Sequence, residues 1–156
     1  MKPLNFDNKF TAQMPADADA GSQRKQLKDA LFARVDPTPV SAPTLIHYSE
    51  DAAQLLGLSR EDCASDEFLQ VFAGNKQIAG MDSHATCYGG HQFGNWAGQL
   101  GDGRAINLGE VNLGDTHLML QLKGAGPTPF SRTADGLAVL RSSLREYLCS
   151  EAMYYL

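Results

Sequence analysis

A chain of 156 residues, 43% hydrophobic and 20% charged, is long enough for one domain with a real core and has the balance of a soluble globular protein. Its formal net charge of −5 argues against nucleic acid or an anionic membrane surface as the main partner, while leaving room for a local positive site. No apolar run approaches the length of a membrane span, and no apolar signal core follows Met1. Cys63, Cys87 and Cys149 are few, odd in number and widely spaced, which points to a reducing compartment, so the expected location is cytoplasmic.

In chain order, Met1 to Asp36 reads as weakly structured, with the small polar run Asp17–Gln23 as loop or disorder. Pro37, Pro39 and Pro43 then impose an extended segment through Leu45 and Ile46. Ser49 is placed to cap a helix with Glu50 and Asp51 in its first turn, Ala52, Leu55 and Leu56 on its apolar side and Gly57 at its end. Ser65 caps a second short helix in the same way, with Asp66 and Glu67 early, Leu69 and Phe72 as its buried contacts, and Gly74 as its stop. His84, Cys87 and His91 carry metal-ligating atoms, but a structural site wants four ligands in tight pairs and no fourth stands at such spacing. The expectation is that this chain holds no metal by itself.

The segment Tyr88–Glu110 (YGGHQFGNWAGQLGDGRAINLGE) is the densest in glycine. Its flanks alternate as strands do, with Ile106 and Leu108 on a face opposite Ala105, Asn107 and Val111, so the pattern predicts strand, glycine-rich turn at Gly98–Arg104, strand. A Rossmann fingerprint or P-loop would need a helix after the glycines, and none follows. A glycine-rich hairpin over phosphates is instead the protein-kinase arrangement, while an ordinary hairpin has the same spacing. Asn112–Asp115 predicts a turn and Thr116–Lys123 a strand, with Leu118, Leu120 and Leu122 facing a core and Lys123 at its end. A lysine ending the strand after a glycine hairpin is the kinase order, with Gln121 where a small residue usually lines the adenine pocket. After the loop Gly124–Asp135, in which Ser131, Arg132, Thr133 and Asp135 could cap or contact a ligand, the residues to Leu156 predict one helix. Asp135 is its expected cap, and Leu137, Leu140, Leu144, Leu148 and Tyr155 form its core stripe. Kinase logic makes Glu146 or Glu151 the partner of the strand lysine. No stop signal closes the helix, which reads as a segment of a longer protein.

The motifs YGGHQFGNWAGQLGDGRAINLGE and LQLKGAGPTPFSRTADGLAVLRSSLREYLCSEAM closely resemble the selenoprotein O family of pseudokinases, over at least Tyr88–Met153, and RVDPTPVSAPTLIHYSEDAAQLLGL fits that family's N-terminal region. The resemblance implies an α+β fold with a protein-kinase-like N-terminal lobe: an antiparallel sheet, a glycine-rich hairpin and a following αC-like helix. It divides the chain into an N-terminal extension, residues 1–80, and a partial lobe, residues 81–156, truncated before the C-terminal lobe. It implies protein adenylyltransferase (AMPylase) activity, with AMP passing from ATP bound in an inverted orientation to Ser, Thr or Tyr hydroxyls of proteins, and no nucleic-acid or membrane partner.

Carried over by motif, Gly101, Gly103, Arg104, Lys123, Asp135 and Gly136 are the nucleotide-binding residues. Glu146 is the lysine-orienting residue, with Glu151 as the alternative. The catalytic Asp and the Mg²⁺ ligands are expected beyond Leu156, so the chain alone is expected to be inactive. Two other readings stay open: a non-catalytic nucleotide-binding or scaffold module, and a phosphorylating kinase.

Overall fold

The computed structural model describes every residue from Met1 to Leu156. Its centre is an antiparallel sheet of five strands: β1 (Phe32–Arg34), β2 (His84–Gln92), β3 (Asn95–Gly101), β4 (Ala105–Asn112) and β5 (His117–Lys123). The order across the sheet is β1-β2-β4-β5, with β3 paired to β2. The helices are α1 (Lys9–Gln13), α2 (Glu50–Leu55), α3 (Arg60–Cys63), α4 (Asp66–Phe72) and α5 (Leu140–Tyr155).

The glycine-rich hairpin turns at a different place from the one its composition suggests. β2 runs out to Gln92, and the chain reverses at Phe93–Gly94, where both residues have positive φ (52° and 79°). β3 returns along β2 in the register Gln92↔Asn95 to Cys87↔Gly101, and Asp102 continues that pairing by donating its N–H to the Thr86 carbonyl. β4 then lies on the same side of β2, at His84↔Asn107. Residues Gly101–Arg104 are therefore a corner in a long returning strand, and not the tip of a hairpin.

β4 and β5 pair along their full length, from Ala105↔Lys123 to Asn112↔His117. A register shift between Asn107 and Gly109 inserts a bulge, with Gly109 at φ 138°. The bulge reverses the alternation beyond it. Ile106 pairs with Leu122 and Val111 with Leu118, so Val111 joins the leucine face and does not oppose Ile106 as strict alternation predicts.

The first 36 residues are ordered as a strap, contrary to the weak structure read from their composition. The Asp7 N–H donates to the Glu110 carbonyl and the Asn112 N–H to the Asn5 carbonyl, both at 2.8 Å, so the strap satisfies backbone groups of β4. Leu4, Leu27, Phe32 and Val35 are buried. Leu4 shares one apolar cluster with Ala53, Leu58, Cys63, Phe68 and Val111, while Val35 packs with Ala85 and Ile106. Side chains of this size each contribute about 1.5–3 kcal/mol when fully buried, which is how an aperiodic segment is held.

The short helices begin where their caps predict. The Ser49 and Ser65 side chains accept from the Ala52 and Phe68 N–H groups, and Gly57 and Gly74 follow the helix ends at φ 67° and 81°. The buried faces differ from expectation. α2 buries Ala53 and leaves Ala52 and Leu55 exposed, and α4 buries Phe68 and Val71, with Phe72 packed against the cluster edge. Between them α3 carries a capping box, Ser59 with Asp62, that the composition did not single out.

Candidate functional site

The corner Gly101–Arg104 is held from two sides. On one, the Asp102 carboxylate accepts from the Thr86 N–H (2.9 Å) and from Asn107 Nδ2 (3.2 Å). Asn107 in turn accepts from Gln121 Nε2 at 2.7 Å, so three strands meet in one polar network. On the other, the loop after β5 packs beneath the corner. The Thr128 hydroxyl donates to the Asp102 carbonyl at 2.7 Å, and the Ser131 hydroxyl donates to the Gly103 carbonyl.

This packing explains two of the glycines. A Cβ on Gly101 would lie 2.4 Å from the Phe130 ring and 2.7 Å from the Thr86 carbonyl oxygen, and one on Gly103 would lie 2.8 Å from the Phe130 carbonyl oxygen. Gly101 and Gly103 thus admit the loop Pro127–Ser131, and the corner is clamped in place.

The remaining candidates gather at the same end of the sheet. The register Ala105↔Lys123 sets Arg104 beside the end of β5, where its carbonyl accepts from the Gly124 N–H at 2.6 Å. The loop then returns: Ala125 bridges Leu137, and the Gly126 N–H donates to the Gly136 carbonyl at 3.3 Å. Gly136 has φ 72° with the Gly126 carbonyl oxygen 2.0 Å from any Cβ it might carry, a conformation and a fit that only glycine tolerates. Asp135 accepts from the Leu137 N–H at 2.9 Å, and Leu137 sits in the bridge to Ala125, so the helix begins only at Leu140 with Val139 as an unassisted cap. The helix predicted from Asp135 is shorter by its first turn for this reason. Arg104, Lys123 and Asp135 are exposed, Gly101 and Gly103 are half-buried and Gly136 is buried.

α5 brings the acid. Lys123 Nζ stands 3.9 Å from Glu146 Oε2. Glu151, the other candidate, lies farther along the helix and lines a depression formed with Leu45–Asp51. Tyr147 OH and His47 Nδ1 are 2.8 Å apart, and the Tyr155 hydroxyl meets the Asp51 carboxylate. α5 has no buried residue. Leu140, Leu144 and Leu148 are 55%, 42% and 65% exposed, so the stripe predicted as core faces solvent here. Polar contacts and the edge-to-face packing of Tyr147 on His47 orient the helix.

A family profile described as "Protein adenylyltransferase SelO" matches residues 17–156. The chain is 60% identical over 157 residues to "Protein nucleotidyltransferase YdiU" of Azoarcus sp. (strain BH72), covering all of this chain and 30% of that relative. It is 60% identical over 156 residues to the protein of the same name from Flavobacterium johnsoniae, again all of this chain and 30% of the relative. With that of Rhodopirellula baltica it shares 61% over 154 residues, 98% of this chain and 28% of the relative. The chain belongs to the SelO family. It spans about 30% of the length of the curated relatives it matches.

Within this SelO-family chain, the trio of possible metal ligands is dispersed in role. His84 is buried against the Phe10 and Phe32 rings, with its Nδ1–H directed at the Asp82 carbonyl 2.8 Å away. Cys87 is half-buried, and burial pushes its thiol pKa up. His91 is exposed on the hairpin with its ring edge-on to Trp96. The residues that sequence reasoning passed over are half-buried Asp102 and buried Asn107 and Thr128, which fix the corner. An Asp between two glycines was a visible signal of a tight corner, but its partners, the Thr86 N–H and the Asn107 amide, lie on other strands and were not.

Proposed function

We propose that this chain forms the kinase-like N-terminal lobe of a protein adenylyltransferase that moves AMP from ATP to Ser, Thr or Tyr hydroxyls of proteins. Residues 81–156 supply the nucleotide-facing elements, and residues 1–80 form an extension strapped over the same sheet. The observation that carries this reading is the meeting of Lys123 and Glu146 at 3.9 Å, beside the clamped corner that bears Arg104. Family membership supports it independently.

The donor set fits the phosphates of ATP. In AMP transfer, the acceptor oxygen forms a bond to the α-phosphorus while the bond from that phosphorus to the bridging oxygen breaks, and pyrophosphate leaves with the electron pair. Negative charge grows on the leaving group, so fixed cations there lower the barrier. Arg104 offers a planar fork of donors and Lys123 a point charge. Glu146 orients Lys123 without touching the nucleotide. Gly101 and Gly103 act at one remove, by letting the loop seat the corner. Asp135 and Gly136 stand beside the same strand end, where Gly136 shapes the backbone and Asp135 presents an exposed carboxylate. No three His, Cys, Asp or Glu side chains cluster in a metal-holding arrangement, so no step is assigned to Mg²⁺ through this chain's residues.

The reading is tested by incubating full-length protein and an acceptor protein with ATP labelled at the α- or the γ-phosphate. Label retained from the α position alone is the expected result. Retention from the γ position alone would indicate a kinase, and no retention from either would indicate a binding module.

A further inference from the structure

A basic trough lies along the hairpin. With a volume of about 660 Å³, it runs between residues 24–26 and the loop Pro129–Arg132, floored by β2 and β3. None of its 15 lining residues is an acid, although the chain as a whole carries a net charge of −5. Arg24, Lys25 and Arg132 line it, with His91 on its floor. It shares only Gly101 with the residues assigned above to the nucleotide.

Both walls are built. On one, the Gln99 side chain bonds the Leu27 backbone twice, accepting from its N–H and donating to its carbonyl, both at 2.8 Å. This fixes residues 24–26 alongside β3. On the other, the Thr128 and Ser131 contacts with the corner hold the loop, and Arg132 sits in the left-handed region at φ 58°. A bulky side chain held there is an outlier of the kind found where a residue has a job to do. Its guanidinium donates to Gln92 Oε1 at 2.6 Å, at the far end of β2. Lys25 is already paired with Asp17, which leaves Arg24 and Arg132 as the arginines lining the trough from its two walls.

We propose that this trough receives an extended acidic segment of the protein acceptor. Two arginine forks on opposite walls suit carboxylates spaced along a chain. Tyr88, His91 and Leu100 line the floor with Gly89 and Gly90, and the Gln26 and Gln92 amides can pair with the peptide groups of an extended segment. The inference rests on the reading that the acceptor is a protein.

The test uses full-length protein and two labelled peptides, one with a Ser, Thr and Tyr acceptor set flanked by glutamates and one flanked by glutamines. Fluorescence anisotropy without ATP measures binding, and AMP transfer gives kcat/KM. With Arg24→Glu, the kcat/KM ratio of acidic to neutral peptide should fall about tenfold, and affinity for the acidic peptide should fall in step, as expected for a charge contact made on association. Arg24→Lys should retain most of both. An unchanged ratio and affinity would overturn the proposal. So would loss of inorganic tripolyphosphate binding with peptide affinity intact, because the trough would then be a phosphate site. If peptide binding depends on Arg24 but no AMP is transferred, the trough stands and the adenylyltransferase reading fails.

Discussion

The corner at Gly101–Arg104 and the helix α5 face each other across Lys123 and are held by opposite means. The corner is interlocked: Asp102 is bonded through its side chain to Thr86 and Asn107 and through its carbonyl to Thr128. α5 buries no residue and meets the rest of the chain through Glu146 with Lys123, Tyr147 with His47, and Tyr155 with Asp51. The difference separates two requirements of the proposed phosphate site. Its cations need a rigid platform, because misplacement at the reacting centre is costly. The acid that orients the lysine can ride on an element with little packing, so its position is open to adjustment. Exposed polar pairs of this kind contribute little stability each.

The largest effect is expected on the shared residue. Lys123→Ala should lower AMP transfer by the full-length protein by at least ~100-fold, the range for removing a donor aimed at developing charge; activity within a few fold of wild type would remove Lys123 from the phosphates. On the rigid side, Gly101→Ala should cost about 1–3 kcal/mol of stability by overpacking, because its Cβ would meet the Phe130 ring and the Thr86 carbonyl oxygen. A urea midpoint equal to that of wild type would show that the corner is not clamped. On the loosely held side, Tyr147→Phe removes one hydrogen bond, worth about 0.5–1.5 kcal/mol. Activity should fall about two- to tenfold by the same measure, with a similar loss in His47→Ala and no further loss in the double variant.

The smallest effect concerns pH. Arg34 bonds Asp82 through two nitrogens, at 2.8 and 3.1 Å, and holds its carboxyl below the usual carboxylate range. A depressed folded-state value means that the stabilisation is present above the unfolded-chain value, near 3.9, and is lost as pH falls through the lower folded value. Stability of the wild-type chain should therefore decline more steeply below about pH 4 than that of Asp82→Asn. Parallel acid limbs in urea titrations would contradict the pair.

Much of the strand and cap framework was legible in the residues. Ser49 and Ser65 announced their helices because a capping hydroxyl acts within one turn, and Leu118, Leu120 and Leu122 announced β5 because alternation is local. The hairpin turn was misplaced because Phe93 takes a positive φ that its residue type does not signal, while the glycines that drew the eye serve contacts with Phe130 far along the chain. Val111 changed faces because a bulge is a property of two strands together. The N-terminal strap has no period, since its burial depends on where the sheet lies beneath it. The leucine stripe of α5 was read correctly as apolar and wrongly as covered, because periodicity marks a face but not what meets it. At the candidate site, the kinase-like spacing pointed to Lys123 and left Glu146 and Glu151 level. The structure brings Glu146 to the lysine and turns Glu151 toward the Leu45–Asp51 segment.

The central claim is that Lys123 and Glu146 work as one unit at the phosphates. It is tested most directly by a double-mutant cycle on AMP transfer in the full-length protein, with Lys123→Ala, Glu146→Ala and both together, and Glu151→Ala measured in parallel. The account predicts that the double variant loses no more than Lys123→Ala alone, and that Glu151→Ala stays close to wild type. Additive losses from Lys123 and Glu146, or a loss from Glu151→Ala that exceeds that from Glu146→Ala, would contradict it.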